Sequence, residues 1–228
     1  MKTLLLFDID GTLLMAEDAT RQAINKTFRD IFGIENPIQN ISFSGRTDPG
    51  IFRDVALKLL GRPLEDGEYQ MVATRYLSFL PGELSYCKSF RLMPGVTRLL
   101  PLLAAREEII LGLETGNLEP AAYLKLKRGD IDHYFSFGGF GSDSEDRTEL
   151  IRVAIERARN RNGGDIPERN IFVIGDSPHD ISAGKNAGAN TIAVGTGSAG
   201  KEKLLAETPT CYLQDLSDIK LFLQYIGL

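Results

Sequence analysis

Four short apolar runs constrain the fold of this 228-residue chain more than any other feature. They lie in the segments LLLFDID (residues 4–10), IILGLETGN (109–117), NIFVIGDS (170–177) and NTIAVGTG (190–197). The first run, residues 4–7, does not alternate between apolar and polar residues, so it is predicted to be a strand buried on both faces, as in the centre of a parallel sheet; the other three runs end on polar residues in a similar way and are predicted to be strands as well. Amphipathic stretches of helical length lie between them, which predicts an α/β fold with a Rossmann-like parallel sheet.

Residues 16–84 do not follow this alternation of strands and helices. They contain three stretches of helical character, at residues 17–33, 48–61 and 65–80, and no convincing strand. A helical block that interrupts an α/β pattern predicts an inserted α-helical cap domain. We therefore expect residues 1–15 and 85–228 to form the discontinuous α/β catalytic core and residues 16–84 to form the cap.

Composition excludes several classes of partner. The net charge of −5 argues against nucleic acid or an anionic membrane as the main partner, because both require a basic face. No apolar segment is long enough to span a membrane, and the N-terminal apolar run is too short for the core of a signal peptide. Two distant cysteines indicate neither a disulfide framework nor a zinc site. These features predict a cytoplasmic protein, as a monomer or a homodimer.

Carboxylates follow two of the predicted strands directly. Asp8 and Asp10 come after the first run, and two residues apart on an extended chain their side chains leave the same face. A turn at Asp10–Gly11 explains Asp10 but leaves Asp8 unexplained. In GDSPHD, a helix cap explains Asp180 but leaves Asp176 unexplained. Because ligands bind at the carboxyl ends of parallel strands, these oxygens predict a Mg²⁺ site there.

Two further segments are suited to an anion that such a metal would accompany. Thr115, Gly116 and Asn117 end the second apolar run just before a helix, where a hydroxyl and free backbone N–H groups can bind phosphate. A plain turn with a helix cap remains an alternative for this segment. Arg147 lies at the predicted start of another helix, where it could contact a phosphoryl group or simply be a solvated surface residue.

In these motifs the chain resembles the haloacid dehalogenase superfamily of aspartate-nucleophile phosphotransferases. FDIDGTL is similar to the first motif of that family, TGN to the second and GDSPHD to the acidic fourth motif. The resemblance covers nearly the whole chain, with residues 16–84 in the place of the helical cap. The family usually has lysine at its third motif, and Arg147 is the candidate for that position here.

The resemblance implies a role for each carboxylate. Asp8 would be the nucleophile that forms an aspartyl-phosphate, and Asp10 the general acid and base. Mg²⁺ would be held by the Asp8 carboxylate, the backbone carbonyl of Asp10 and Asp176, with Asp180 behind them. These ligands are hard oxygen donors, which Mg²⁺ prefers.

The resemblance also implies how substrate would be held. Thr115, Gly116, Asn117 and Arg147 would hold the phosphoryl group, Arg147 by a bidentate contact. Arg46 lies in the predicted loop at residues 43–50, ahead of a cap helix. In similar capped enzymes such a loop closes over the active site, so Arg46 could contact the non-reacting end of the substrate. A solvated loop arginine remains the alternative.

We therefore expect a Mg²⁺-dependent phosphatase that acts on a small phosphorylated metabolite, similar to the phosphoglycolate phosphatase branch of the family. A sugar phosphomutase of the β-phosphoglucomutase kind is the nearest enzymatic alternative, because it would use the same nucleophile. A non-catalytic sensor of phosphorylated metabolites is an alternative of another class. The sequence does not identify the substrate, because the cap would select it.

Overall fold

The computed structural model describes residues 2–39, 41, 43 and 45–228. Six strands form one sheet in which every neighbouring pair is parallel: β1 (Thr3–Phe7), β4 (Ile109–Thr115), β5 (Gly138–Phe140), β6 (Ile171–Gly175), β7 (Asn190–Val194) and β8 (Cys211–Leu213). Their order across the sheet is β5-β4-β1-β6-β7-β8, with β1 between β4 and β6. The predicted α/β class with a Rossmann-like parallel sheet is confirmed.

Helices connect and cover these strands: α1 (Glu17–Phe32), α2 (Asp48–Leu60), α3 (Asp66–Tyr86), α4 (Val96–Ala104), α5 (Glu119–Arg128), α6 (Arg147–Asn162), α7 (Pro178–Asn186), α8 (Lys201–Ala206) and α9 (Ile219–Tyr225). Short 3₁₀ turns occur at Asp132–Tyr134 and Glu168–Asn170. In the described part of the chain, no helix combines the length and apolar character needed to cross a membrane.

The central strand β1 shows why its sequence does not alternate. Leu5 and Phe7 face one side of the sheet and join the apolar core formed with α4, α5 and α9. Leu4 and Leu6 face the other side and join the core formed with α6 and α7. Helices therefore cover both faces, and every residue of β1 is buried.

The helices α1 to α3 form a separate layer between two short strands. These strands, β2 (Leu14–Met15) and β3 (Arg91–Leu92), pair antiparallel where the chain leaves and re-enters the core. Within the layer Phe52 on α2 packs edge-on against Tyr76 on α3, with ring centroids 5.4 Å apart. The layer matches the position predicted for a cap, although α3 continues to Tyr86. The domain boundaries themselves stay a prediction.

The chain reverses sharply after β1, at Gly11. This residue has φ of +93°, and a Cβ there would lie 2.5 Å from a carboxylate oxygen of Asp176. Only glycine combines that backbone conformation with so close an approach. The turn therefore brings the segment after β1 against the segment after β6, at the carboxyl edge of the sheet.

Candidate active site

Three aspartates meet at the carboxyl ends of β1 and β6. Asp8 follows β1 and Asp176 follows β6, while Asp180 lies in the first turn of α7; all three are buried. One carboxylate oxygen from each lies within 4.8 Å of the others. The carboxylate of Asp10 is not a member of this group. Metal binding by the backbone carbonyl of Asp10 stays a prediction.

Burial and mutual repulsion disfavour the charged forms of these aspartates. Burial raises the pKa of Asp8 to about 7; Arg147 opposes the rise, while Asp180 and Asp10 add to it. Burial, with the charges of Asp180 and Asp8, also raises the pKa of Asp176 well above its usual range. A divalent cation bound between these oxygens would offset both effects, and an all-oxygen donor set fits Mg²⁺. The residues present therefore fit a metal.

The two carboxylate oxygens of Asp180 have different surroundings. Its Oδ2 accepts a hydrogen bond of 2.9 Å from the backbone N–H of Ser177, and its own N–H donates to Ser177 Oγ at 3.3 Å. This reciprocal pair is the capping box that the sequence indicates at the start of α7. The other oxygen, Oδ1, lies 2.7 Å from Arg147 Nε. Oδ2 is thus hydrogen-bonded, whereas Oδ1 is buried in an ion pair without a hydrogen bond in the described part of the chain.

Arg147 is buried among three carboxylates. Its Nη2 donates to Asp8 Oδ1 at 2.8 Å, and its Nε donates to Glu114 Oε2 at 3.1 Å besides its ion pair with Asp180. It is the first residue of α6, and the preceding Asp146 caps that helix by accepting from Thr148 N at 2.8 Å. The solvated alternative for Arg147 is therefore wrong.

Asp10 lies in a second polar group at the same edge of the sheet. The amide Nδ2 of Asn117 donates to Asp10 Oδ2 at 2.9 Å and to Thr115 Oγ1 at 2.7 Å. From α5, Lys125 Nζ donates to the same Asp10 oxygen at 2.5 Å and to Asn117 Oδ1 at 2.5 Å. Asp10 of the first motif and Asn117 of the second are thus in direct contact. Lys125, which the sequence analysis did not include, bonds to both of them.

The helical layer contacts the second motif and the residue after it through Asp48, the first residue of α2. Asp48 N donates to Gly116 O at 2.7 Å, and the Asp48 carboxylate accepts from Leu118 N at 2.9 Å. A Cβ at Gly116 would lie 2.3 Å from the carbonyl oxygen of Arg46, so glycine permits this approach. The Arg46 guanidinium forms an ion pair with Asp54 on α2 and borders the cleft.

The cleft between the helical layer and the sheet is bordered by both polar groups. Its lining includes five of the predicted site residues: Asp8, Asp10, Thr115, Arg147 and Asp176.

A comparison with known families identifies the family of the chain. The family described as haloacid dehalogenase-like hydrolase matches residues 5–194. The chain belongs to this family. The predicted family is confirmed, and with it the broad enzyme class, a haloacid dehalogenase-like hydrolase.

Individual proteins and solved structures are similar to nearly the whole chain. A pyrophosphatase PpaX of Halalkalibacterium halodurans is 24% identical over 220 residues, which cover 94% of this chain and 93% of that protein. The crystal structure of a predicted phosphoglycolate phosphatase from Haemophilus somnus has a TM-score of 0.71 at 23% identity, with 97% of each chain covered. CbbY of Rhodobacter sphaeroides, in complex with phosphate, has a TM-score of 0.70 at 19% identity and 96% coverage of each chain.

Two buried residues of this haloacid dehalogenase-like site were missed from the sequence. Glu114, on β4, is fully buried and pairs with Arg147. Lys125 was missed although its helix carries a signal: it shares the buried face of α5 with Ala121, Ala122 and Leu126. A charged residue on an otherwise apolar helical face requires a buried partner. Glu114, next to Thr115 in a strand buried at that end, carries the same signal.

Proposed function

We propose that this chain is a Mg²⁺-dependent phosphatase that hydrolyses a small phosphomonoester through an aspartyl-phosphate on Asp8. The observation that carries the proposal is the surroundings of Asp8, which is buried beside two other carboxylates and bonded to one cation, Arg147. A nucleophilic carboxylate needs this arrangement, because the charge on the phosphoryl oxygens must be neutralised before an anion can attack phosphorus.

In the first step an Asp8 oxygen forms a bond to phosphorus while the bond from phosphorus to the ester oxygen breaks. Asp10 gives a proton to the departing alcohol oxygen. In the second step Asp10 takes a proton from water as the water oxygen attacks phosphorus, and the bond between phosphorus and Asp8 breaks. Inorganic phosphate leaves, and both carboxylates return to their starting forms.

Thr115 and Arg147 would hold the phosphoryl oxygens, together with the backbone N–H groups of Gly116 and Asn117. The Thr115 hydroxyl is at the end of β4, and Arg147 presents its planar guanidinium beside Asp8. A planar cation can donate to two oxygens at once, which a lysine cannot do. The side chain of Asn117 is engaged with Asp10, so only its backbone is assigned to phosphate.

The metal would be held by the Asp8 and Asp176 carboxylates and the backbone carbonyl of Asp10, with Asp180 beside them. When bound, Mg²⁺ supplies a concentrated positive charge that stabilises the phosphoryl oxygens. Asp180 supports this arrangement from outside the ligand set, because its two oxygens already serve Ser177 and Arg147.

The proposal assigns substrate selection to the helical layer. Residues 16–84 would form the cap, and residues 1–15 with 85–228 the catalytic core. The cap side of the cleft carries Phe43 and Ile51 together with Arg46, Glu17 and Asp48. Arg46 is the cation among these residues, so it is the group that would contact an acidic or hydroxyl-bearing end of the leaving group. Pyrophosphate, suggested by the PpaX relatives, belongs among the substrates to be screened.

Turnover of p-nitrophenyl phosphate is expected to require Mg²⁺. Activity should disappear with a chelator and return when excess Mg²⁺ is added, whereas Ca²⁺ should not restore it, because its larger and looser coordination shell misplaces the attacking carboxylate. Released phosphate, measured without any sugar bisphosphate, separates a phosphatase from a mutase. Unchanged activity in the chelator would contradict the metal assignment, and binding without turnover would indicate a sensor.

Replacing Arg46 with alanine is expected to affect substrates selectively. For a natural substrate with an acidic or hydroxyl-bearing end, kcat/KM should fall by a factor that corresponds to a loss of about 1.5–3 kcal/mol of transition-state stabilisation, the range for a hydrogen bond to a charged group. For p-nitrophenyl phosphate, which gives Arg46 nothing to hold, it should change little. Arg62→Ala, at a more exposed arginine whose ion pair is with Glu68, is the control. Equal losses on both substrates would assign Arg46 to cap closure or phosphate binding instead.

A further inference from the structure

Lys125 is a buried cation that the proposed reaction does not yet use. Its side chain is 1% exposed, on the apolar face of α5. An ammonium group is expensive to bury unless it is paired and hydrogen-bonded. Here both requirements are met by two acceptors, Asp10 Oδ2 and Asn117 Oδ1, each 2.5 Å from Nζ. The lysine is therefore built into the part of the site that contains Asp10.

The hydrogen bonds of Asp10 depend on Lys125 in two ways. Lys125 and Asn117 donate to the same oxygen, Oδ2, while Oδ1 is buried with no hydrogen-bond partner in the described part of the chain. Lys125 also fixes Asn117: with Oδ1 facing the ammonium, the Nδ2 group must face Asp10 and Thr115. Without the lysine, Asp10 would lose one of these donors and Asn117 its preferred orientation.

We propose that Lys125 is a positioning residue that orients Asp10 for proton transfer, both directly and through Asn117. The inference rests on the proposed function, because it assigns a task to a neighbour of the general acid and base. Proton transfer requires the carboxylate to lie within hydrogen-bond reach of the leaving oxygen and of the attacking water. Small displacements of a catalytic group can cost about 10²-fold in rate.

The positive charge of Lys125 also influences the helical layer. Burial raises the pKa of Asp48 to about 6, and the charge of Lys125 opposes that rise. Asp48 is the residue whose carboxylate accepts from Leu118 N at the junction with the second motif. Lys125 thus lies close to acidic groups from both sides of the cleft.

The test compares Lys125→Met with Lys127→Met, an exposed lysine on the same helix, in rapid-mixing experiments with Mg²⁺. With p-nitrophenyl phosphate, whose leaving group needs no proton, Lys125→Met should release a burst of about one nitrophenolate per active site. Steady-state turnover should then be about 10²-fold slower than in wild type, because hydrolysis of the aspartyl-phosphate still needs Asp10 as base. Lys127→Met should behave as wild type.

An alkyl phosphate such as glycerol phosphate provides the second readout. Its poor leaving group needs a proton in the first step, so Lys125→Met should show no burst and a kcat about 10²-fold lower. KM should change little, because the residues that hold phosphate remain. Lys125→Arg keeps the charge and the donors and should recover part of the rate. If Lys125→Met does not fold, Lys125→Gln gives the same readouts.

Two results would overturn the proposal. One is an equal loss of kcat on both substrates without a burst, which a general weakening of the fold would produce. The other is a crystal structure of Lys125→Met in which Asp10 and Asn117 keep their wild-type positions. The crystal structure also separates this inference from the proposed function: inactivity of the wild type on all phosphate esters would reject the function, while the positions of Asp10 and Asn117 still decide the role of Lys125.

Discussion

Asp8→Asn is expected to abolish turnover of p-nitrophenyl phosphate, by roughly 10⁴-fold or more, which is the scale for loss of a nucleophile. An amide oxygen is too weak a nucleophile to attack phosphorus, while its size and its ability to accept from Arg147 are retained. Steady-state phosphate release measures the loss. Residual activity above about a tenth of wild type would contradict the assignment of Asp8 as the nucleophile, because loss of a nucleophile predicts far less activity.

The fold should survive this substitution, because burial disfavours the charged form of Asp8 in the folded protein. In the folded protein burial raises that pKa from the usual value near 3.8 to about 7. Between these values the folded state binds more protons than the unfolded state, so the free energy of unfolding decreases as the pH rises through this window. Asparagine stays neutral and avoids that loss.

Thermal unfolding without metal checks this expectation. Asp8→Asn should melt no lower than wild type at pH 7.5, and its advantage should be smaller at pH 4. Asp165→Asn, at an aspartate whose side chain is 78% exposed, is the matched control. It should leave activity and melting temperature unchanged. A variant of Asp8 that unfolds at room temperature would mean that the lost activity says nothing about the nucleophile.

The sequence predicted those site residues whose presence a local turn or helix cap does not explain. Asp8 and Asp176 follow buried strands, where neither a turn nor a helix cap accounts for a carboxylate, and the structure places both at the carboxyl edge of the sheet. The same approach predicted the sheet, because unbroken apolar runs need cover on both faces. Each of these inferences depends on residues that are neighbours along the chain.

Glu114 and Lys125 could not be assigned in that way, because each pairs with a charged residue that is distant in sequence. Glu114 bonds to a residue 33 positions away, and Lys125 bonds to Asp10 across 115 positions. The local pattern shows that each is a charged residue on a buried face, which demands a partner without naming it. Identifying the partner requires the strand order, which places the end of β4 beside that of β1.

Arg147→Met is expected to have the largest effect on stability. The guanidinium is 9% exposed and faces Asp8, Glu114 and Asp180, so its removal leaves three buried carboxylates without their shared cation. Breaking a buried ion pair from one side costs about 3–5 kcal/mol. Urea denaturation in a chelator at pH 7.5 should show a loss of that size. A loss below about 1 kcal/mol, the usual value of a surface pair, would contradict this account.

The double variant Arg147→Met/Glu114→Gln provides the matched control. Glu114 is fully buried, and burial raises its pKa well above the usual range while Arg147 opposes that rise. Neutralising Glu114 together with Arg147 should therefore recover part of the lost free energy of unfolding. The interaction energy from the double-mutant cycle should be on the order of 1–3 kcal/mol. Purely additive losses would show that the two side chains do not act as a pair.

Added Mg²⁺ tests the pair and the metal site together. A cation that binds the folded state raises the free energy of unfolding, and it should do so more in Arg147→Met than in wild type, because the competing positive charge is gone. The comparison is the increase in unfolding free energy between chelator and excess Mg²⁺, measured for both proteins. An equal increase would place the bound cation away from Arg147. If the free energy of unfolding increases in neither protein, Mg²⁺ does not bind at the group of Asp8, Asp176 and Asp180.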